Sequence, residues 1–288
     1  DFWRSTSIRA CDCGTNWGSV CGTSPTGVSK SSDLAGDNKN NMLDILYLDD
    51  YLAIVHKPAG WLVHRTPLDK GETRFVLQTL RDQIGQHVWP VHRLDKGTSG
   101  VLVFALSADV ARTLGQAFET GEGLHKTYRA IVRGWPLDQG LIDHPLKRMP
   151  DDMRSEREEI QPAQTRYATL RRGELPIAQG DFATLRWAEV QLQPLTGRRH
   201  QLRRHMKHIA HPIIGDATHG KGPLNRAVTE HLGLQRLWLH ALHLDLPHPV
   251  SGQLLHVASP LPSEWTLWDA FAADSDARKG MDPGSSPR

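Results

Sequence analysis

Short apolar runs bounded by turn residues recur along this chain from Ile45 to Val257, whereas few stretches carry apolar residues at helical spacing. Residues 45–48 and 52–56 flank Asp49-Asp50, a pair that predicts a hairpin turn. Residues 101–105, 128–132, 165–170 and 184–193 read as strands, as do 238–246 and 253–257 on either side of a turn over 248–252. Helical spacing appears over 73–84 and more strongly over 107–120. There Val110, Ala111, Leu114, Ala117 and Phe118 make one face, Ser107 suits the N-cap and Gly121 the stop. Residues 200–209 and 263–272 read as two further helices. Many strands with few outer helices predict an α+β fold.

Composition bounds the rest. With 39% hydrophobic and 23% charged residues, the chain has an ordinary globular balance, and 288 residues allow one large domain or two small ones. Cys11, Cys13 and Cys21 are its three cysteines, so no disulfide framework supports the region from Met42 onward, which suits a reducing cytoplasm. No apolar run of about 18 residues is present, so no membrane span is expected. Residues 1–41, rich in Ser, Gly, Thr, Asp and Asn, read as disordered or as an artificial extension; 42–272 read as the folded part and 273–288 as a flexible tail. The charged, non-periodic stretch 150–162 reads as an exposed loop insertion. The net charge is only +2, but Arg198, Arg199, Arg203, Arg204 and Lys207 lie together with no acidic residue among them. Such a cluster can meet phosphates, or it can be a solvated helix face.

The run His92-Arg93-Leu94-Asp95-Lys96-Gly97-Thr98-Ser99-Gly100 is polar, charged and punctuated by glycine, and it leads straight into the apolar run 101–105. An aspartate on such a loop can serve as a nucleophile or base. It can also be a turn residue that caps backbone amides. The run resembles the catalytic loop of the RluA-type pseudouridine synthases, H-R-L-D-x-x-T-S-G, and matches every fixed position of that pattern. Lys57-Pro58-Ala59-Gly60 with Val63-His64, then Lys126-Thr127-Tyr128-Arg129-Ala130, then the run 195–203 around Thr196-Gly197-Arg198, resemble the family's other landmarks in the family's order. Together they cover roughly residues 42–262. Residues 84–88 and 233–237 are most similar to the branch of the family that modifies a T-stem uridine of certain tRNAs, uridine 65.

The resemblance implies a mixed, largely antiparallel sheet with a central cleft and flanking helices, forming a catalytic domain over 42–272. It implies conversion of a uridine to pseudouridine: the C1′–N1 bond breaks, the freed uracil turns, C5 bonds to C1′, and the C5 proton leaves. Nothing is oxidised and no group is transferred, so no cofactor is expected. Asp95 maps onto the family's nucleophile, attacking base or sugar. Arg198, the arginine of the T-G-R turn, maps onto the partner that keeps this carboxylate ionised and oriented. Tyr128 maps onto the aromatic wall for a flipped base, and its hydroxyl onto the acceptor of the C5 proton; a lone strand tyrosine commonly has its ring in the core instead. Arg93 either fills the gap left by the flipped base or forms a structural ion pair. Thr98 and Ser99 are expected to hold the loop through backbone hydrogen bonds, and Gly97 and Gly100 to permit its tight geometry.

Arg199 and Arg203, and Arg203 and Lys207, are four apart and should share a helix face. With Lys126 and His200, this row is expected to follow an RNA backbone. The expected partner is RNA, tRNA first, with the protein acting as a cytoplasmic monomer free of membranes. Two other readings compete. His200, His205, His208 and His211 could attract zinc, but cations interleave them and no H-E-x-x-H pattern or cysteine pair accompanies them, so no metal is expected. A non-catalytic RNA binder on the same fold is disfavoured by the intact Asp95, Tyr128 and Arg198. A ribosomal-RNA-modifying member of the family would share these motifs, since shape and loops set the choice of RNA.

Overall fold

The structure, a computed structural model, describes residues 42–65, 71, 73–149 and 159–273. The expected extension over 1–41 lies outside the described residues, as do nearly all of the expected tail and most of the 150–162 insertion. The first half contains β1 (Ile45–Leu48), β2 (Leu52–Lys57), α1 (Val76–Ile84), β3 (Trp89–Pro90), β4 (Ser99–Ala105), α2 (Ala108–Thr120) and β5 (His125–Arg133). Then come β6 (Gln139–Asp143), β7 (Leu146–Lys147), β8 (Ile160–Gln161), β9 (Gln164–Leu175) and β10 (Leu185–Pro194). The chain continues through α3 (Gln201–His208), α4 (Gly222–Leu232), β11 (Leu239–Pro247), β12 (Leu254–Ala258) and a 3-10 helix, Ser263–Phe271.

Ten strands form one sheet in the order β1-β2-β4-β11-β5-β10-β9-β6, with β12 added to β11 and β3 to β4. The expected α+β class and largely antiparallel sheet are what the chain forms. The parallel contact of this sheet is β4 with β11, at Ser99–His240 and Gly100–Ala241. β4 is buried along its whole length, as its unbroken apolar run requires of a central strand. Each half of the sheet is covered on both faces. Val76 and Leu80 of α1 pack on one face of the β2–β4 half, and Val110, Ala111 and Leu114 of α2 on the other. On the β5–β10 half, Leu202 and Met206 of α3 cover one face. The other face is covered by Val228 of α4 and by Trp265 and Trp268 of the 3-10 helix, which meet Trp187 of β10 and Trp238 just before β11.

Helix α2 forms as its sequence dictates: the Ser107 side chain accepts the Val110 N–H at 3.3 Å, and Gly121 ends the helix in the left-handed conformation. Three details refine the expectations. The last helix forms where expected and is of the 3-10 kind, with Trp265, Trp268 and Phe271 recurring every third residue on one face of a three-residue turn. The insertion is not wholly loop: Ile160–Gln161 pairs with Leu146–Lys147 in a small two-stranded sheet. Helix α4 was not anticipated; its apolar residues Leu224, Val228 and Leu232 are four apart, but it starts at Gly222-Pro223 without a capping side chain.

Candidate active site

The loop between β3 and β4 carries Asp95 to the seam where the two halves of the sheet meet. A pocket of about 360 Å³ opens there, within the range of small-ligand sites. One wall is the loop itself, Val91 to Thr98. Others are Phe118 of α2, Lys126 and Tyr128 of β5, the Thr196-Gly197-Arg198 turn, and the start of α3. Strand alternation puts Lys126 and Tyr128 on one face of β5, facing the pocket, while Arg129 on the opposite face pairs with Glu189 at 2.8 Å. A second pocket, lined by His125, Lys126, Arg166 and Arg198 among others, continues from the first.

The Asp95 side chain is 27% exposed at the pocket floor. Its Oδ2 accepts Nη1 of Arg203 at 2.8 Å, and its Oδ1 lies 3.6 Å from Nε2 of His200. The expected pairing of Asp95 with Arg198 is not formed. Arg198 lines the pocket mouth and donates Nε to the Pro162 carbonyl at 3.1 Å. The backbone explains the exchange. His200, just before α3, sits in the left-handed region at φ 54°. That reversal leaves Arg198 on the turn and points Arg203, in the first turn of the helix, inward. Arg203 is accordingly buried and not part of an outer phosphate-binding row, while Lys207 is exposed. Arg199 precedes the helix, so helical spacing does not govern its relation to Arg203.

Tyr128 is half-buried in the pocket wall. Burial, with the Asp95 charge adding to it, pushes its phenol well above the ordinary tyrosine range, so the hydroxyl stays protonated. Lys126 stands 6.0 Å over the Phe118 ring, and burial lowers its pKa. His92 stacks on Phe118 with centroids 4.2 Å apart and accepts the Val103 N–H at Nε2, 3.0 Å away. Burial, aided by Lys126, holds its pKa down to about 3, which matches an imidazole acting as an acceptor. Arg93 is exposed at the pocket rim. Thr98 meets its expectation through its backbone: its N–H reaches the Asp95 carbonyl at 3.0 Å. Ser99 works instead through its hydroxyl, which contacts His240 Nδ1 at 2.9 Å and accepts Arg236 Nη2 at 3.0 Å.

Three residues given no role from the sequence complete the site. Lys57 is fully buried, and its Nζ donates to the carbonyls of Pro58, Lys96 and Thr98 at 3.0, 3.0 and 2.7 Å. Burial lowers its pKa to about 7, with Asp95 opposing that shift, and its carbonyl acceptors match the donors of an ammonium in number. Gln201 closes the T-G-R turn: its Oε1 accepts the Thr196 hydroxyl at 2.7 Å and the Arg198 N–H at 3.0 Å. Asp216 is buried and grips Arg203 through both carboxylate oxygens at 2.8 and 2.7 Å. A charged residue ending an apolar strand before Pro58, and an acid after Ile213-Ile214-Gly215, were the available signals. The four histidines weighed for zinc each take protein partners. His205 bonds Thr165 and the His144 carbonyl, His211 the Arg133 carbonyl, His200 contacts His219, and His208 stacks on His144. Among the described residues, no group of three or more metal-binding side chains converges.

A family model described as RNA pseudouridylate synthase matches residues 51–208. The chain belongs to this family of isomerases. Among similar curated proteins are those called tRNA pseudouridine synthase C. The Vibrio cholerae protein is 53% identical over 228 residues, covering 78% of this chain and 93% of the relative. The Yersinia pestis protein is 51% identical, covering 78% and 88%. Two solved structures are also similar. Human RNA Pseudouridylate Synthase Domain Containing 1 has a TM-score of 0.62 at 25% identity, with 81% of this chain and 89% of that one covered. Human RNA Pseudouridylate Synthase Domain Containing 4 has a TM-score of 0.58 at 28% identity, with 78% and 90% covered. The RluA-type resemblance is thereby borne out, and so is the likeness of this chain to tRNA-modifying members of the family.

Proposed function

We propose that this protein converts uridine 65 in the T stem of tRNA to pseudouridine, with Asp95 as the nucleophile and the target nucleotide flipped into the pocket. The observation that carries the chemistry is an Asp95 carboxylate fixed by Arg203 at 2.8 Å beside the Tyr128 wall. The tRNA substrate rests on relatives bearing that name at about half identity. Asp95 bonds to the sugar or the base as the C1′–N1 bond breaks; the freed uracil turns, C5 bonds to C1′ and the bond to Asp95 breaks, while C5 loses a proton and N1 gains one, so uridine and pseudouridine have the same composition. The Tyr128 ring supplies a stacking face that offsets part of the unstacking cost, about a few kcal/mol. Its protonated phenol is no resident base, so the hydroxyl can take the C5 proton only after passing on its own. Arg198 at the pocket mouth, Lys126 in the pocket wall and the basic lining of the adjoining groove suit phosphates.

The test incubates the purified chain with tRNA and with ribosomal RNA and maps pseudouridine chemically. Formation at the T stem, abolished by Asp95→Asn in a folded protein, is the expected result. Modification of ribosomal RNA alone would sink the tRNA assignment. Binding without modification of either RNA would make the chain a non-catalytic binder.

A further inference from the structure

We propose that Asp216 is a positioning residue for Asp95, and that its turn, residues 215–220, aims both groups that face the Asp95 carboxylate. The proposal rests on the pseudouridine synthase reading of the site. Asp216 is buried behind the Arg203 guanidinium, where its Oδ2 takes Nε at 2.8 Å and its Oδ1 takes Nη2 at 2.7 Å. A guanidinium gripped along one edge by two oxygens cannot swivel. Its remaining Nη1 therefore has one direction, and that direction leads to Asp95 Oδ2 at 2.8 Å.

The second arm starts from the same carboxylate. Asp216 Oδ1 also accepts the backbone N–H of Thr218 and of His219, each at 2.9 Å. This fixes His219, whose Nε2 lies 3.0 Å from His200 Nδ1. His200 in turn presents Nε2 to Asp95 Oδ1 at 3.6 Å. The approach at 3.6 Å is electrostatic; a neutral His200 that turns an N–H to this carboxylate carries its proton on Nε2, and His219 then donates from Nε2 to Nδ1. Burial holds His200 neutral, lowering its pKa to about 4 against the opposing pull of Asp95. His200 also keeps a positive φ that a non-glycine residue holds only when its surroundings fix it. The turn is anchored in its own right: Asn225 donates to the Asp216 carbonyl at 2.9 Å and accepts the Gly215 N–H at 3.0 Å. Gly215 sits at φ +80°, and a Cβ there would lie 1.8 Å from the Arg236 carbonyl oxygen. Both oxygens of Asp95 are thus addressed by arms that trace back to one buried acid, which itself stays clear of the pocket lining.

The experiment measures steady-state pseudouridine formation on a tRNA transcript by the full chain, with thermal melts alongside. The variants are Asp216→Asn, Arg203→Lys, their double, and His219→Gln. Asp216→Asn keeps the side chain's shape but loses its charge and one acceptor. It should lower kcat roughly 10–100-fold, the range seen when partners that orient a metal ligand are removed, and leave KM within about twofold. The double variant should be no slower than the slower single, since both act on one contact. His219→Gln should lower kcat by a smaller factor with an unchanged Tm. A wild-type kcat in Asp216→Asn, a loss confined to KM, or losses that multiply in the double would overturn the proposal. If Asp216→Asn does not fold, His219→Gln decides: reduced kcat at unchanged Tm supports it, and wild-type kcat overturns it. A wild-type chain that modifies no RNA refutes the functional reading instead, so the two failures differ.

Discussion

Two arginines of one basic run do different work. Arg203 is buried between two carboxylates, and Arg198 lies at the pocket mouth on the Pro162 carbonyl. Truncating the first leaves Asp216 as an uncompensated buried charge and Asp95 without its Nη1 donor. Truncating the second removes a cation from a solvated rim. Arg203→Ala should therefore lose most of its kcat and also melt lower, whereas Arg198→Ala should keep Tm and weaken KM for tRNA by about tenfold or less. Kinetics and melting curves of the two variants check this, and equal effects on kcat would count against it. Sequence could single out Asp95 because its whole pattern lies within nine neighbouring residues. It could not choose between the arginines, because the choice depends on one left-handed residue, His200, whose φ no local pattern announces. Asp216 was equally hidden: its meaning lies in a side chain 13 positions away.

The loop that carries Asp95 is an element held from below. Lys57 binds the carbonyls of Lys96 and Thr98 directly under Asp95, and the Gly60 N–H also reaches the Lys96 carbonyl at 2.8 Å. Replacing Lys57 with Met would fill the space and take the Lys57 donor from the Thr98 carbonyl, while the Lys96 carbonyl keeps the Gly60 N–H, at a cost of about 1–3 kcal/mol for each carbonyl orphaned. Urea unfolding of Lys57→Met should show that loss, and activity should fall with it. At the other end of the loop, Gly100 has φ +115°, and a Cβ there would lie 2.1 Å from the Ala241 carbonyl oxygen. Gly100→Ala should cost about 3 kcal/mol or more, through strain and through parting β4 from β11. An alanine variant with wild-type stability would show that the seam tolerates displacement. Elements with strong local signals, such as α2 with its cap and β4 with its apolar run, were legible from sequence. Short strands such as β3 and β6 were not, because their pairing partners rather than their own residues define them.

At the scale of the whole molecule, buried imidazoles set the acid limit. Burial, the leading cause in each case, holds the pKa of His92 at about 3 and those of His200 and His240 at about 4. In the unfolded chain they protonate near 6.5. Between about pH 6.5 and 4 the unfolded state binds more protons, so stability falls as the pH is lowered and returns as it rises. Tm followed from pH 7 to pH 4 should decline through that window. His240→Gln, which removes one of these groups, should decline less steeply, and parallel slopes would refute this account. The breadth of the sheet has a further effect, on the order in which the molecule is made. Ser99 meets His240 across 141 residues of chain, and Asp95 meets Arg203 across 108. Long closures of this kind come late, after hairpins such as β9–β10 have zipped locally. A refolding chain should therefore regain its strand signal before its catalytic power, and a nascent one cannot work until β11 has emerged from the ribosome. Activity in this protein is a certificate that the entire sheet has closed.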